Sequence, residues 1–325
     1  MPTPPIALAS LSIRDFRGIE HLDLDFRGPD GLPNQLVVLA GPNGSGKTAV
    51  LEAALIAVGG SKLISGRSGK AAIRRGAEDY AIDAKIRDST QLDDSEQPLT
   101  TATSRGLTKP RVPHWYFSSW RTPILVGPID VTVGKPGRRP AKTDANRLLN
   151  VKQQLVNAAA VERFKEGQRS LMPLMPKYSE WIALINRAWW EFDTNTKGKF
   201  YVGLAEAEFE EGGSFELYYK AEGRPNLAVD DLSAGQLELF LFLAALALND
   251  ERKGLVFIDE PELHLDPQWH TSIVRSLMRL QPNAQFIVST HSPEIYDSAM
   301  SYERHFLVPE DDPRAIIWGR ARAGV

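Results

Sequence analysis

Gly41-Pro-Asn-Gly-Ser-Gly-Lys-Thr48 is the stretch whose reading decides the fold. It fits the pattern G-x-x-x-x-G-K-[ST]. A triphosphate presents dense negative charge that must be held without bulky side chains in the way. Glycines let backbone N–H groups turn toward the phosphates, and a helix start adds a positive dipole. The flanks supply the context. Leu36 to Ala40 (LVVLA) reads as a strand buried on both faces, and Ala49 to Val58 reads as a helix. Gly41, Pro42, Asn43, Gly44, Ser45, Gly46, Lys47, Thr48 and Ala49 are therefore candidate ATP-binding residues. Lys47 would reach the β- and γ-phosphates, and Thr48 would place its hydroxyl on Mg²⁺.

Outward from this loop, hydrophobic periodicity predicts the elements around it. Leu8 to Phe26 alternates and reads as two half-buried strands around the turn Arg17-Gly18. Residues 59 to 70 read as a loop, Tyr80 to Ile86 as a strand, and Gln91 to Arg111 as an exposed polar loop. His114 to Ser118 reads as a strand and Gly134 to Lys142 as a basic loop. Asn150 to Phe192 reads as helical, broken near Pro173 and Pro176, and Lys199 to Lys220 as a hairpin turning at Glu211-Gly212-Gly213. Leu255 to Ile258, a helix near Gln268 to Leu280, and Gln285 to Ser289 form a βαβ unit. The fold class expected is α/β with a helical insertion.

Bulk properties narrow the function classes. With 325 residues and 42% hydrophobic content, the chain can bury a core without disulfides or metals. It has no cysteine, which removes disulfide frameworks, thiol catalysis and cysteine–zinc sites and fits a cytoplasmic location. The net charge of -3 gives no global reason to expect nucleic acid. Two local basic segments could touch it: Lys62, Arg67, Lys70, Arg74 and Arg75, and Lys135, Arg138, Arg139 and Lys142. The N-terminus lacks the form of a signal peptide. The richest apolar run, Leu237 to Leu248, contains Glu238 and is too short to span a bilayer, so no membrane association is expected.

Further candidate sites follow in chain order. Leu232-Ser-Ala-Gly-Gln236 precedes a helix, where a serine hydroxyl and glycine N–H make an anion site. Leu255-Val-Phe-Ile-Asp259-Glu260 is a buried strand ending in two acids. Asp259 would hold Mg²⁺, and Glu260, one residue on, would polarise the attacking water. Phe286-Ile-Val-Ser-Thr-His291 is a second strand, ending on a histidine. The tryptophans Trp181, Trp189 and Trp190 sit at helical spacing and read as packing residues.

LSAGQ resembles the LSGGQ signature of ABC ATPases, with Ala234 replacing one glycine. The resemblance implies a P-loop NTPase of the ABC-ATPase head type with a mixed β-sheet core, and hydrolysis of ATP. Ser233, Gly235 and Gln236 would cap the γ-phosphate of nucleotide held by a second subunit, making a homodimer with composite sites. His291 would be the switch histidine and Asp266 the D-loop acid, acting across the dimer. Within that superfamily, Leu11-Ser-Ile-Arg-Asp-Phe-Arg-Gly-Ile19, Asp259-Glu-Pro-Glu-Leu-His-Leu-Asp-Pro267 and Ser289-Thr-His-Ser-Pro-Glu294 resemble the OLD-type and RecF/SMC-like ATPases. Phe117-Ser-Ser-Trp-Arg121 resembles the strand end of the Q-loop region but offers no glutamine.

The expected organisation is one ATPase head over 1–325. It comprises an N-terminal lobe at 1–125, a basic loop and helical insertion at 126–198, and a C-terminal lobe at 199–325. Fewer than 200 residues without heptads separate Thr48 from the signature, so no tethering coiled coil is expected. Beyond His291 the chain offers one acid cluster, Glu310 to Asp312, which falls short of the Toprim nuclease domain of OLD proteins. The resulting expectation is a dimeric ATP switch that gates a separate effector, a nuclease or toxin, in anti-phage defence. The alternatives are a RecF-like ATPase that binds DNA through its basic loops and, below it, a transporter subunit.

Overall fold

The computed structural model describes residues 4–64, 69–90, 96–107, 112–119, 121, 123–131, 146–166, 178–205, 214–249, 253–308 and 312–313. Three sheets organise it. The central one is parallel, in the order β13-β3-β12-β11-β7, from β3 (Leu36–Ala40), β7 (His114–Phe117), β11 (Lys253–Asp259), β12 (Asn283–Thr290) and β13 (Arg304–Phe306). A strand from the first 40 residues thus sits between two from the last 50, so neither end of the chain completes this sheet alone. The second sheet is antiparallel, in the order β2-β1-β4-β5-β6: β1 (Ile6–Phe16), β2 (Ile19–Asp25), β4 (Ala81–Asp88), β5 (Glu96–Thr103) and β6 (Gly106–Leu107). The third joins β8 (Lys199–Leu204), β9 (Phe215–Lys220) and β10 (Leu227–Ala228).

Burial on both faces explains the continuous apolar runs of the parallel strands. Val37, Leu39, Leu255, Phe257 and Ile287 face a core shared with the antiparallel sheet and α1 (Lys47–Ala57). Leu36, Val38, Val256, Ile258, Phe286 and Val288 face the other core. That second core holds α2 (Arg147–Glu166), α3 (Tyr178–Trp189), α4 (Ala234–Ala247) and α5 (Pro267–Leu280). α6 (Pro293–Ser298) follows β12 and packs on α5. The side chain of Gln285, fully buried on β12, accepts from Leu8 N at 2.7 Å and donates to Leu8 O and Asn34 O, pinning β1 to the parallel sheet.

α4 is apolar all round, with Leu237, Leu239, Phe240, Leu241, Phe242 and Leu243 buried, as a helix enclosed by other helices and a sheet must be. Full burial of such side chains contributes about 1.5–3 kcal/mol each. Its one charge, Glu238, is 2% exposed and is met by Arg121 and, at 3.6 Å, by Arg147 at the start of α2. Stripping such a buried carboxylate of its partner costs about 3–5 kcal/mol. Lys152 of α2, also fully buried, reaches Gly127 O at 2.9 Å, Glu216 at 2.7 Å and Asp230. Asp230 also accepts from the N–H groups of Val126 and Gly127.

The stretch read as an exposed loop, Gln91 to Arg111, instead carries β5 and β6. β5 lies toward the sheet edge and pairs with β4, and the hydroxyl of Thr101 donates to Asp83 on the same sheet. Its polar composition hides it, because Glu96 to Thr103 holds no continuous apolar run. Trp189 is buried, with its ring 4.8 Å from that of Phe200, and Trp190 donates to Gly198 O, so these rings serve packing. Pro173, Pro176, the Glu211–Gly213 turn and the basic loop at 134–142 lie outside the described residues. No helix among the described residues is long and apolar enough to cross a membrane.

Candidate functional site

Parallel register brings the strand ends together. Ala40 lies opposite Thr290, Ser289 opposite Asp259, and Ile258 opposite Phe117. The candidate residues that follow these ends therefore emerge along one edge of one sheet, the carboxyl edge where α/β folds place ligands.

The loop after β3 bends through left-handed backbone at Gly44 (φ 79°) and Gly46 (φ 92°), which explains glycine there. Gly46 caps α1, so Lys47 and Thr48 open the helix. Lys47 is 6% exposed, and its ammonium donates to Gly41 O at 2.9 Å and Pro42 O at 3.1 Å. Burial pulls its pKa below the ordinary lysine value, opposed by the charges of Glu260, Glu262 and Asp259. A cation already drawn from water and aimed across a glycine loop is poised for an anion.

Three hydroxyls converge on the fully buried carboxylate of Asp259. Thr48 Oγ1 lies 3.1 Å from both of its oxygens and Ser119 Oγ 2.8 Å from Oδ2, while Ser289 Oγ donates to Oδ1. Magnesium prefers such hard oxygen donors and completes its shell with phosphate and water. Thr48 and Asp259 therefore fit that ion, with Ser119 beside them.

Glu260 follows in left-handed backbone, φ 53°. Such a conformation in a non-glycine residue costs about 1–3 kcal/mol. Its N–H donates to Ser289 O at 2.9 Å. His291 Nδ1 stands 3.5 Å from Glu260 and 3.3 Å from Glu262. Glu262 in turn accepts from Thr290 Oγ1, His291 N and Ser292 N, which locks the turn carrying the histidine. The hydrogen bond from His291 holds the Glu260 carboxyl below its usual pKa, against the opposing effect of burial, and the bond to Glu260 raises the histidine.

Because His291 is the largest influence lowering Glu260, replacing it with Asn should raise the carboxyl's pKa. The acid limb of the ATPase pH–rate profile should then move to higher pH. An unmoved limb would separate the histidine from Glu260.

Ser233 caps α4 in a reciprocal box: its hydroxyl accepts from Gln236 N, and the Gln236 side chain accepts from Ser233 N. A Cβ on Gly235 would fall 2.5 Å from His264 O, so the signature helix rests directly on the backbone after β11. Asp266 caps α5 by accepting from Gln268 N at 2.9 Å. Among the described residues, the side chains of Ser233, Gln236 and Asp266 bond locally and none bonds to the Gly41–Thr48 loop. The chain thus carries two surfaces, a phosphate loop with its acids and a separate signature turn.

Sequence reasoning missed Ser119, Ser289, Glu262 and Arg121. All four lay within stretches already read, Ser119 and Arg121 in Phe117 to Arg121, but lone serines, acids and arginines carry no role until the fold places them. Of the basic segments, Lys62, Lys70 and Arg75 are exposed, whereas Arg74 pairs with Glu20 at 2.6 Å and Asp15 at 3.7 Å. Arg67 and the second segment lie outside the described residues, as do Glu310 and Asp311.

Residues 145–297 match the family model described as "AAA domain, putative AbiEii toxin, Type IV TA system", and residues 10–109 match a second described as "AAA domain". Over 99 residues (27% of the chain) it is 50% identical to the Retron Vc95 probable ATPase of Vibrio cholerae serotype O1 biovar El Tor, covering 19% of that protein. Over 95% of the chain it is 22% identical to the Septu protein PtuA of Bacillus mycoides, covering 42% of it. The chain therefore spans less than half the length of these curated relatives. The Smc head domain of Pyrococcus furiosus bound to the C-terminal domain of ScpA superposes with a TM-score of 0.57 at 14% identity. That superposition covers 90% of this chain and 92% of the other. A further Smc head, bound to the C-winged helix domain of ScpA, gives 0.56 with the same identity and coverage. The chain thus has the P-loop fold of an SMC head, with AAA-domain matches over residues 10–109 and 145–297.

Proposed function

We propose that this ATPase is a dimeric switch that gates a separate effector, a nuclease, in bacterial anti-phage defence. The observation that supports the dimer is that, among the described residues, the side chains of the turn capped by Ser233 bond locally and not to the chain's own Gly41–Thr48 loop. In the closed dimer, Lys47 and the loop N–H groups of one copy hold ATP while Ser233 and Gly235 of the other cap its γ-phosphate. Asp266 contacts across the same interface. Thr48 and Asp259 would hold Mg²⁺, which would neutralise phosphate charge. Lys47 exchanges the carbonyls of Gly41 and Pro42 for phosphate oxygens. Glu260 accepts a proton from water as its oxygen bonds the γ-phosphorus and the bond to the bridging oxygen breaks. His291 keeps Glu260 ionised and aimed. ATP drives closure only by binding the closed state more tightly than the open one.

The likeness to retron and Septu proteins, and a family model whose description includes a toxin–antitoxin system, support the defence role. The same comparisons support a cytoplasmic setting with an effector partner. The test is purification of a hydrolysis-deficient chain from its native host, with and without ATP. One stoichiometric partner should be retained, and its nuclease activity should change when ATP is removed. A chain that stays monomeric with ATP refutes the switch. A chain that binds DNA directly and salt-dependently, with no protein partner, favours the RecF-like alternative.

A further inference from the structure

Arg121 follows β7 by four residues and is 2% exposed. A guanidinium removed from water must have its donors met, and here they are met by three different parts of the chain. Nη1 donates to Ser118 O at 2.8 Å and to Asp259 O at 2.6 Å. Nη2 donates to Glu260 O at 2.5 Å, and Nε donates to Glu238 on the signature helix α4. The ring of Phe242, one turn along α4 from Glu238, lies 5.0 Å from the guanidinium carbon. Arg147 shares Glu238 and covers Phe117, the last residue of β7.

The two consecutive carbonyls held by one planar fork belong to the peptides that enter and leave Glu260, the residue in left-handed backbone. We propose that Arg121 is a positioning residue that fixes the backbone carrying Glu260 and ties it, through Glu238, to the signature helix. The phosphate-facing acids and the signature turn of one chain then move as a unit. A signature docked on one nucleotide is thereby coupled to the base acting on the other. Lysine cannot reproduce the fork, because its ammonium is a point charge without the planar donor set. Arg121→Lys keeps the charge and loses the geometry.

The inference rests on Glu260 as the base, so Glu260→Gln is assayed alongside. ATP affinity, by fluorescent-nucleotide titration, and steady-state kcat are measured separately, with thermal melting as the folding control. Arg121→Lys should leave ATP affinity within about threefold and lower kcat by about tenfold to a hundredfold, the loss expected when a reacting group is displaced by an ångström or less. Glu238→Gln, nearly isosteric, should also lower kcat with affinity retained. In a Glu260→Gln background it should shorten the lifetime of the ATP-bound dimer. Arg121→Lys at full rate, or a loss of affinity and melting temperature in parallel with kcat, overturns the proposal. If Arg121→Lys does not fold, Glu238→Gln with unchanged kcat and dimer lifetime overturns it. A fully active Glu260→Gln removes the base assignment itself, whereas a silent Glu260→Gln beside a fully active Arg121→Lys removes the role of Arg121 and leaves that assignment standing.

Discussion

Glu260→Gln should abolish turnover while leaving ATP bound, and should trap the chain as a dimer. Glutamine keeps the size of the side chain and can occupy the same left-handed backbone position, held by Ser289 O and by Arg121. What it loses is the capacity to accept a proton. In the unsubstituted chain the carboxyl is held below its usual pKa, first by His291, and is therefore ionised at neutral pH, as the proposed base must be. Loss of a positioned general base costs about a hundredfold to ten-thousandfold in rate. Phosphate release and light scattering in the presence of ATP check both halves: turnover near background, and mass doubled and persistent. A Gln variant that hydrolyses at the unsubstituted rate would move the base elsewhere.

Lys47→Ala should remove ATP binding and, with it, everything that depends on closure. The ammonium is buried, partly desolvated and, among the described residues, bonded to two carbonyls of its own loop. Removing one partner of a buried charge-assisted contact costs about 2–5 kcal/mol, which corresponds to an affinity loss of about thirtyfold or more at 1.4 kcal/mol per decade. The variant should still fold, because the lost contacts are two hydrogen bonds and the helix α1 retains its apolar face. Thermal melting reads this cleanly: saturating ATP should raise the melting temperature of the unsubstituted chain and leave that of Lys47→Ala unmoved. A full ATP-induced shift in the variant would show that the phosphates are held by other groups.

These two residues were readable from the chain alone because each belongs to a contiguous unit. Gly41 to Thr48 carries loop, cation and hydroxyl within eight positions, and β11 ends in adjacent acids. The capping box of Ser233 and Gln236 is local for the same reason: three residues of separation suffice for the bonds that make it. Apolar runs likewise disclosed β3, β11 and β12, which are buried on both faces, whereas the half-buried β13 has no such run and was not read. β5 escaped notice because Glu96 to Thr103 has no such run to display.

By itself, then, the sequence determined the α/β class and singled out the glycine loop, the two acids and the LSAGQ turn as candidates, all of which depend on near neighbours and periodicity. The tertiary structure alone decided the surroundings that make those groups chemical. Ser119 and Ser289 reach Asp259 from 140 and 30 residues away because strands β7, β11 and β12 are in parallel register. Arg121 meets Glu238 across 117 residues because an enclosed apolar helix can carry a carboxylate only where a cation is buried beside it. In the sequence Glu238 merely interrupts a hydrophobic run, and in the fold it joins the signature helix to the backbone of the base.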